Sequence, residues 1–566
     1  MTRARAGALA ATFAVSVLAF GATAFAQLDD DRTALVVLVP GASFDDLMAD
    51  PEIASLARAG GAGLLVNPDE VVEFDGPGIG ETRSLLVPGS SLEALVQRHR
   101  PLGFSDNELL VMVIGADPAD GPTTPEVGDI ELGSDIGGIV LASGVPDELF
   151  PDSGGQGSLT SDSTRRDGVV VGADVRATLY NYLPEPPLLT REGLGSPIEI
   201  IEGPPPFELH ERYLAQRQMY VPIGTAGAIY VVIGGIGGIA VLSLGDRVPK
   251  RVRRIFGWWG LSVPMLAVGM LAVGHLPQLS FATAVPMIAI VTVIGTMAFS
   301  PLERRDVALV PVGIGLAALA YFALEAMLGW SGMLTPLLGG SQLDGGRFYG
   351  LPNVAIGVLI GSGLWVAHRL RTSQGLALLC ALGSFAGLPY VGSNLGGGVT
   401  LFAAAGLWLA VRERERLGVW RSVGAFVGIT LAGTAVILLA HAISPLETHV
   451  TRFEQDAGGL AGVVEQVLDR LQVGFDLIAR NPLALIPVIG LPIAIAAVLR
   501  PPAALRPSLE GSPAWRDAIL VILLAGVVAY VSNDSGPAAA GFAFGMGLGG
   551  LLGVSLLLGA EKMVDR

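Results

Sequence analysis

The polar side chains best suited to holding an anion gather in four short stretches of the second half of this sequence, between long apolar runs. The stretch 329–353 carries Asp344, Arg347, Tyr349 and Asn353, and Ser393 and Asn394 stand just before Gly396-Gly-Gly398. The stretch after 443 carries Glu447, His449, Arg452, Glu454 and Asp456, and Asn533-Asp534-Ser535-Gly536 closes the set. Arginine presents a planar fork of N–H donors that matches a phosphate bidentately, and Tyr, Asn and His add directional hydrogen bonds around it. The expected substrate-binding set is therefore Arg347, Tyr349, Asn353, Asn394, His449, Arg452, Asn533 and Asp534. In the bland alternative each loop is simply polar, and Arg347 is clamped on Asp344 or Asp534 to tie loops together.

These loops are set in a membrane-like sequence. The 566 residues are 51% hydrophobic and 15% charged, too apolar for a soluble chain of this length. Apolar segments near 221–244, 255–275, 279–300, 307–328, 352–368, 374–392, 396–411, 420–442, 482–499, 517–532 and 537–559 approach the roughly 20 residues that a spanning helix needs. About eleven transmembrane helices are expected. With residue 215 outside, the inner loops hold 18 of the 23 Lys and Arg residues that follow it; Arg217, Arg347, Arg452, Arg470 and Arg480 stay outside. Basic loops are retained on the cytoplasmic side, so this split supports both the orientation and the count. All four polar stretches then fall on the outer face. Residues 460–478 place Leu460, Val463, Val464, Val467, Leu471, Phe475 and Ile478 at helical spacing, the pattern of an amphipathic helix lying along that interface. Glu325 stands out as the one carboxylate inside a predicted span. Ion-coupled transporters rely on such groups near the midplane, so their scarcity argues against that class. Glycine runs such as Gly234–Gly238 and Gly545–Gly553 read as close helix packing.

Ahead of the membrane part, Arg3 and Arg5, an apolar stretch from Ala6 to Phe20 and Ala24-Phe25-Ala26 form a signal-peptide pattern over 1–26 with a cleavage site before Gln27; an uncleaved anchor with the same topology is the alternative. Residues 27–215 hold 33 acidic side chains and 10 arginines, with no lysine, a net charge of −23. Such a domain repels nucleic acid and bare anionic lipid, and the acidity reads as solubility. Cys380, the sole cysteine, lies in an apolar run, so the exported part has no disulfide framework. Leu35–Val39, Leu109–Ile114, Ile139–Ala142 and Val169–Val171 read as buried strands and Pro51–Ala59 as a helix, which points to a parallel α/β sheet. The fold class expected is thus an α/β exported domain over 27–215 followed by an all-α polytopic bundle over 216–566.

Leu35-Val-Val-Leu-Val-Pro-Gly followed by Pro51-Glu-Ile-Ala-Ser-Leu-Ala-Arg-Ala-Gly resembles the opening of the alkaline phosphatase and phosphoglycerate mutase superfamily. Residues 158–170 and Asp174-Val-Arg-Ala-Thr178-Leu resemble its closing strand and helix. The order of a phosphatase-like domain and then many helices is similar to that of a poorly characterised group of bacterial envelope proteins, whose membrane half also resembles Gly346–Asn353 and Asn533–Gly536 here. The resemblance implies a degenerate alkaline-phosphatase-like ectodomain. Metal-dependent members hold two cations with carboxylates and histidines beside a Ser or Thr nucleophile. Here Pro40-Gly41 stands where a metal-binding Asp belongs, and Gly115-Ala-Asp117-Pro118 stands where an Asp-His pair belongs. His99 and His210 fall outside the ligand positions, and nothing activates Ser84 or Ser90. A catalytically inactive domain with no metal and no cofactor follows.

Taken together, the residues point to a multi-pass protein of the bacterial cell membrane with its N-terminal domain extracytoplasmic. It is expected to bind or process a lipid-linked anionic substrate at the outer leaflet. Its partners would be membrane lipid or a lipid-linked substrate and other envelope proteins, and not nucleic acid. A transporter or lipid scramblase and an envelope scaffold are the alternatives.

Overall fold

The computed structural model describes residues 33–40, 44–59, 61–66, 81–85, 109–116, 137–143, 157–171, 174–175, 177–178, 196–202, 206–276, 280–330, 336–338, 349–444, 485–533 and 536–561. The expected signal peptide, 1–26, and the expected amphipathic helix, 460–478, lie outside these residues. The chain divides into two compact units. One holds Met1–Ser161 and Asp167–Pro206; the other holds Asp162–Arg166 and Phe207–Arg566.

The first unit is built on strands β1 (Thr33–Pro40), β2 (Gly61–Val66), β3 (Glu81–Leu85), β4 (Leu109–Ala116), β5 (Gly137–Ser143), β6 (Gly157–Thr160), β7 (Val169–Val171) and β8 (Glu199–Glu202). They pair in the order β3-β1-β4-β5-β2-β6-β8, with β7 beside β2. Helices α1 (Phe44–Ala49) and α2 (Pro51–Ala59) follow β1, and Phe44, Leu47, Ile53 and Leu56 are buried. The sheet is mixed. β1 runs parallel to β3 and β4, but β5 is antiparallel to both β4 and β2. This corrects the expected all-parallel sheet. Apolar runs such as Ile139–Ala142 mark a buried strand but carry no information about its direction.

Asp174 ties this unit together. Its carboxylate accepts from Ser161 Oγ at 2.6 Å, from Val171 N at 2.9 Å and from Ser196 N at 3.0 Å. Thr178 Oγ1 donates to Asp174 O and accepts from Ile198 N. Asp174 is fully buried, and its oxygens are spent on the fold.

The second unit consists of helices. In order they are α3 (Phe207–Leu244), α4 (Lys250–Leu261), α5 (Val263–Val273), α6 (Phe281–Met297), α7 (Leu309–Met327), α8 (Asn353–Ala367), α9 (Thr372–Gly387), α10 (Leu395–Arg412), α11 (Arg414–Ala442), α12 (Leu485–Leu499), α13 (Pro513–Ser532) and α14 (Gly536–Glu561). Among the described residues seven helices are long and apolar enough to cross a membrane, or up to eight if the bent pair α4 and α5 is one span. These helices make the chain a multi-pass membrane protein. Each of the eleven apolar segments falls on a helix, but α8 and α12 have only 15 residues each. The stretch 255–275 is not one straight span. Between α4 and α5 the axis turns by 51°. Pro264 in the first turn of α5 cannot donate back into α4, and Ser262 Oγ caps Trp259 O at 2.6 Å.

The bundle interior is filled by large side chains. Trp330, Trp365, Trp408, Trp515 and Phe322 are at most 1% exposed, and every residue of α8 from Val354 to Ala367 is buried. Helices α4 and α14 meet through glycine. A Cβ on Gly549 would lie 2.4 Å from Gly260 O, and one on Gly260 would lie 2.6 Å from Gly549 O. Only hydrogen fits there, while Gly547 and Gly550 of the same run make room for Leu523 and Trp365.

Candidate functional site

Four of the eight residues singled out as an anion site lie among the described residues: Tyr349, Asn353, Asn394 and Asn533. Arg347, His449, Arg452 and Asp534 lie outside them. Tyr349, Asn353 and Asn394 are linked through one short stretch of chain, and Asn533 bonds elsewhere, to Thr400 and Ala529. Gly350 turns with φ +97°, and a Cβ there would sit 2.0 Å from Gly392 O, so this position needs glycine. The turn lets Leu351 N donate to Gly392 O at 2.8 Å, and it lays 349–353 along 389–394.

Asn394 is fully buried at the N-terminus of α10. Its Oδ1 accepts from Gly397 N at 2.8 Å, the usual capping bond. Its Nδ2 donates to Leu351 O at 2.8 Å and to Asn353 Oδ1 at 2.9 Å. This amide is committed to joining α8, α10 and the loop between them. It positions the site and is not itself open to a ligand. Asn533 is buried at the end of α13. Its Nδ2 donates to Ala529 O at 3.0 Å and to Thr400 Oγ1 at 3.2 Å, and Thr400 Oγ1 meets Ser532 Oγ at 2.7 Å. Asn533 Oδ1 is buried with no hydrogen-bond partner among the described residues. That leaves one unspent acceptor in a polar pocket of hydroxyls.

Tyr349 donates from its hydroxyl to Tyr390 O at 3.0 Å, and two guanidinium groups lie over its ring. Arg165 Cζ is 4.8 Å and Arg166 Cζ 5.6 Å from the ring centroid, within cation–π range. Arg165 Nη1 donates to Pro389 O and Arg166 Nη2 to Trp330 O, both at 3.0 Å. Trp330 Nε1 in turn donates to Val391 O at 2.5 Å. Burial pushes the Arg165 guanidinium below its ordinary value, with Tyr349, Asp162 and Tyr390 pulling the other way. These arginines precede the helical unit in sequence by some forty residues, and counting basic residues only after 215 missed them. The signal was present in Ser163-Thr164-Arg165-Arg166, a basic pair in an otherwise acidic segment. Arg165 itself adopts a left-handed backbone, φ 52°. A non-glycine residue in that region marks a tightly specified loop.

A second polar group involves Glu325. The carboxylate is 2% exposed, and it accepts from Tyr321 Oη at 2.9 Å and pairs with His275 Nε2. Its second oxygen, Oε2, is buried without a partner among the described residues. At the opposite end of the bundle, Asp517 in the first turns of α13 is 7% exposed and pairs with Arg412 at 3.3 Å and Arg414 at 2.9 Å. Asp517 is a second carboxylate within a spanning helix, beside the single one read from sequence. Both acidic groups are paired at helix ends, and the aromatic core fills the bundle interior.

The cluster around Tyr349 brings together two guanidinium groups and a tyrosine ring, on a loop framework that the Asn394 amide holds in place. Compared with known protein families, with curated proteins and with solved structures, the chain matches none.

Proposed function

We propose that this protein binds a lipid-linked anionic head group at the outer leaflet of the bacterial cell membrane. On this reading eleven helices span the membrane, and the N-terminal unit is an extracytoplasmic, catalytically inactive phosphatase-like domain. The observation that carries the reading is the pair Arg165 and Arg166 stacked over Tyr349 and held on carbonyls beside Tyr390. Two guanidinium groups in one loop are mutually repulsive, and an anion between them removes that cost. The arginine-poor face after residue 215 suits an outer location. The missing Asp after β1 and the missing Asp-His pair support a binding role over hydrolysis. A transport path is favoured less, because Trp365, Trp408, Trp515 and Phe322 fill the bundle interior.

The test uses the purified full chain and a polyprenyl phosphate, with the matching polyprenol as control. The phosphate is expected to bind and the alcohol not. Arg165→Ala with Arg166→Ala should weaken binding by about a hundredfold or more, since each charge-assisted bond is worth about 1.5–3 kcal/mol. Equal binding of phosphate and alcohol would overturn the reading. So would unchanged binding by a folded double variant.

A further inference from the structure

A separate cavity of about 740 Å³ opens among α3, α4, α6 and the turn after α6, with Tyr230, Trp258 and Val293 in its walls and Lys250, Arg251 and Arg254 at its rim. Its chemistry is divided. The wall hydroxyls are already spent inside the protein. Tyr230 Oη and Ser262 Oγ meet at 2.9 Å, and Thr292 and Thr296 donate to carbonyls of their own helix at 2.7 and 2.6 Å. A guest in the bore therefore meets an apolar surface. The rim is the reverse. Arg254 is paired with Glu303 at 2.7 Å, while Lys250 and Arg251 have no ion-pair partner among the described residues.

The start of α4 sharpens this asymmetry. A helix N-terminus carries partial positive charge and unsatisfied N–H groups, and it favours acidic side chains. Here the first turn has no acidic residue and no side-chain cap, and it begins with Lys250 and Arg251 instead. Two cations at the positive end of a helix repel it unless an anion sits there. An open apolar cavity in a membrane bundle, with Lys250 and Arg251 at its rim, fits one class of guest.

We infer that the cavity holds an acidic glycerophospholipid, with its phosphate at Lys250, Arg251 and the start of α4 and an acyl chain along Trp258 and Val293. The rim lies at the end of the bundle that also carries Arg304 and Arg305, the end assigned to the cytoplasm by charge, where anionic lipid headgroups meet basic pockets between helices. This site is independent of the Arg165 and Arg166 cluster.

The experiment is native mass spectrometry of the delipidated full chain in neutral detergent, titrated with phosphatidylglycerol or with phosphatidylcholine of the same chains. One phosphatidylglycerol should be retained in preference to phosphatidylcholine. Lys250→Gln with Arg251→Gln should lower that retention about tenfold or more, at about 1 kcal/mol per basic residue near a lipid surface. Val293→Trp fills the bore from a position that is 57% exposed, so it should fold and should weaken retention of both lipids. Arg165→Ala with Arg166→Ala should leave retention unchanged, which separates this site from the proposed head-group site. Equal retention of the two lipids by the unmodified protein would overturn the inference. Retention unaffected by the Lys250 and Arg251 pair, or unaffected by Val293→Trp, would also overturn it.

Discussion

Replacing Asn394 separates a residue that builds the cluster around Tyr349 from one that touches a ligand. Its side chain is fully buried, and it makes three hydrogen bonds of 2.8–2.9 Å, to Leu351 O, Asn353 Oδ1 and Gly397 N. Asn394→Ala removes the cap of α10, worth about 1 kcal/mol. It also leaves the Leu351 carbonyl unsatisfied, at about 1–3 kcal/mol. The expected loss is about 2–4 kcal/mol by that sum. Asn394→Asp is the more informative change. It keeps an acceptor for Gly397 N, but it sets a carboxylate against two oxygens that were receiving hydrogen bonds. It should be at least as unstable as the alanine variant, whereas a residue that only capped the helix would tolerate it. Unfolding of the purified protein in detergent, followed by tryptophan fluorescence, measures both. A stable Asn394→Asp protein would refute the three-bond account. A stable Asn394→Ala protein that no longer bound the polyprenyl phosphate would place the amide on the ligand instead.

Three further outcomes follow from the same geometry. Asp174→Ala should destabilise the first unit by about 2–5 kcal/mol, because two backbone N–H groups and the Ser161 hydroxyl lose their acceptor; limited proteolysis of the full chain should then cut within 157–202 at lower protease. Asp517→Asn should cost about 1–3 kcal/mol, since it leaves Arg412 and the more exposed Arg414 facing a neutral amide, and wild-type thermal stability of this variant would show that the pairs contribute little. In a background with Cys380 replaced by Ala, a cysteine at 345 or 457 should react with an impermeant thiol reagent in whole cells, while one at 251 or 414 should not. Labelling at 251 would invert the orientation.

Much of the bundle was legible because hydropathy reports length and apolarity directly. All eleven apolar segments fall on helices, and Gly549 and Gly553 of the 545–553 run lie where α14 meets α4. What hydropathy does not report is a break inside a span. Ser262 and Pro264 turn the axis by 51°, yet both sit in a stretch whose mean character is apolar throughout. Strand direction in the first unit was hidden for a related reason. The run Ile139–Ala142 is as apolar as Leu35–Val39, and only pairing reveals that β5 runs against β4 and β2. Of the expected site, four residues fall among those described. Tyr349, Asn353 and Asn394 lie on two loops that the Gly350 turn joins, but no spacing rule links residue 349 to 394. The arginines over Tyr349 were missed because they precede the helices by a whole domain in sequence, and charge counted by segment assigned them elsewhere.

That misassignment bears on how the cluster would work. Asp162–Arg166 is grouped with the helices although the chain on both sides of it belongs to the first unit. The segment is anchored there by bonds to Pro389 O and Trp330 O, and the left-handed turn at Arg165 fixes its path. Neither carbonyl carries a formal charge, so these two bonds leave the guanidinium charges in place. An anion bound beside Tyr349 would therefore add to the hold on the 162–166 loop, and its release would remove part of that hold. Ligand affinity and loop docking are thermodynamically linked. The expected signature is protection of backbone amides at 162–166 from hydrogen exchange when polyprenyl phosphate is added, absent with the polyprenol. Protection that did not change on binding would mean that the carbonyl anchors alone hold the loop, and the coupling would fail while the binding site itself still stood.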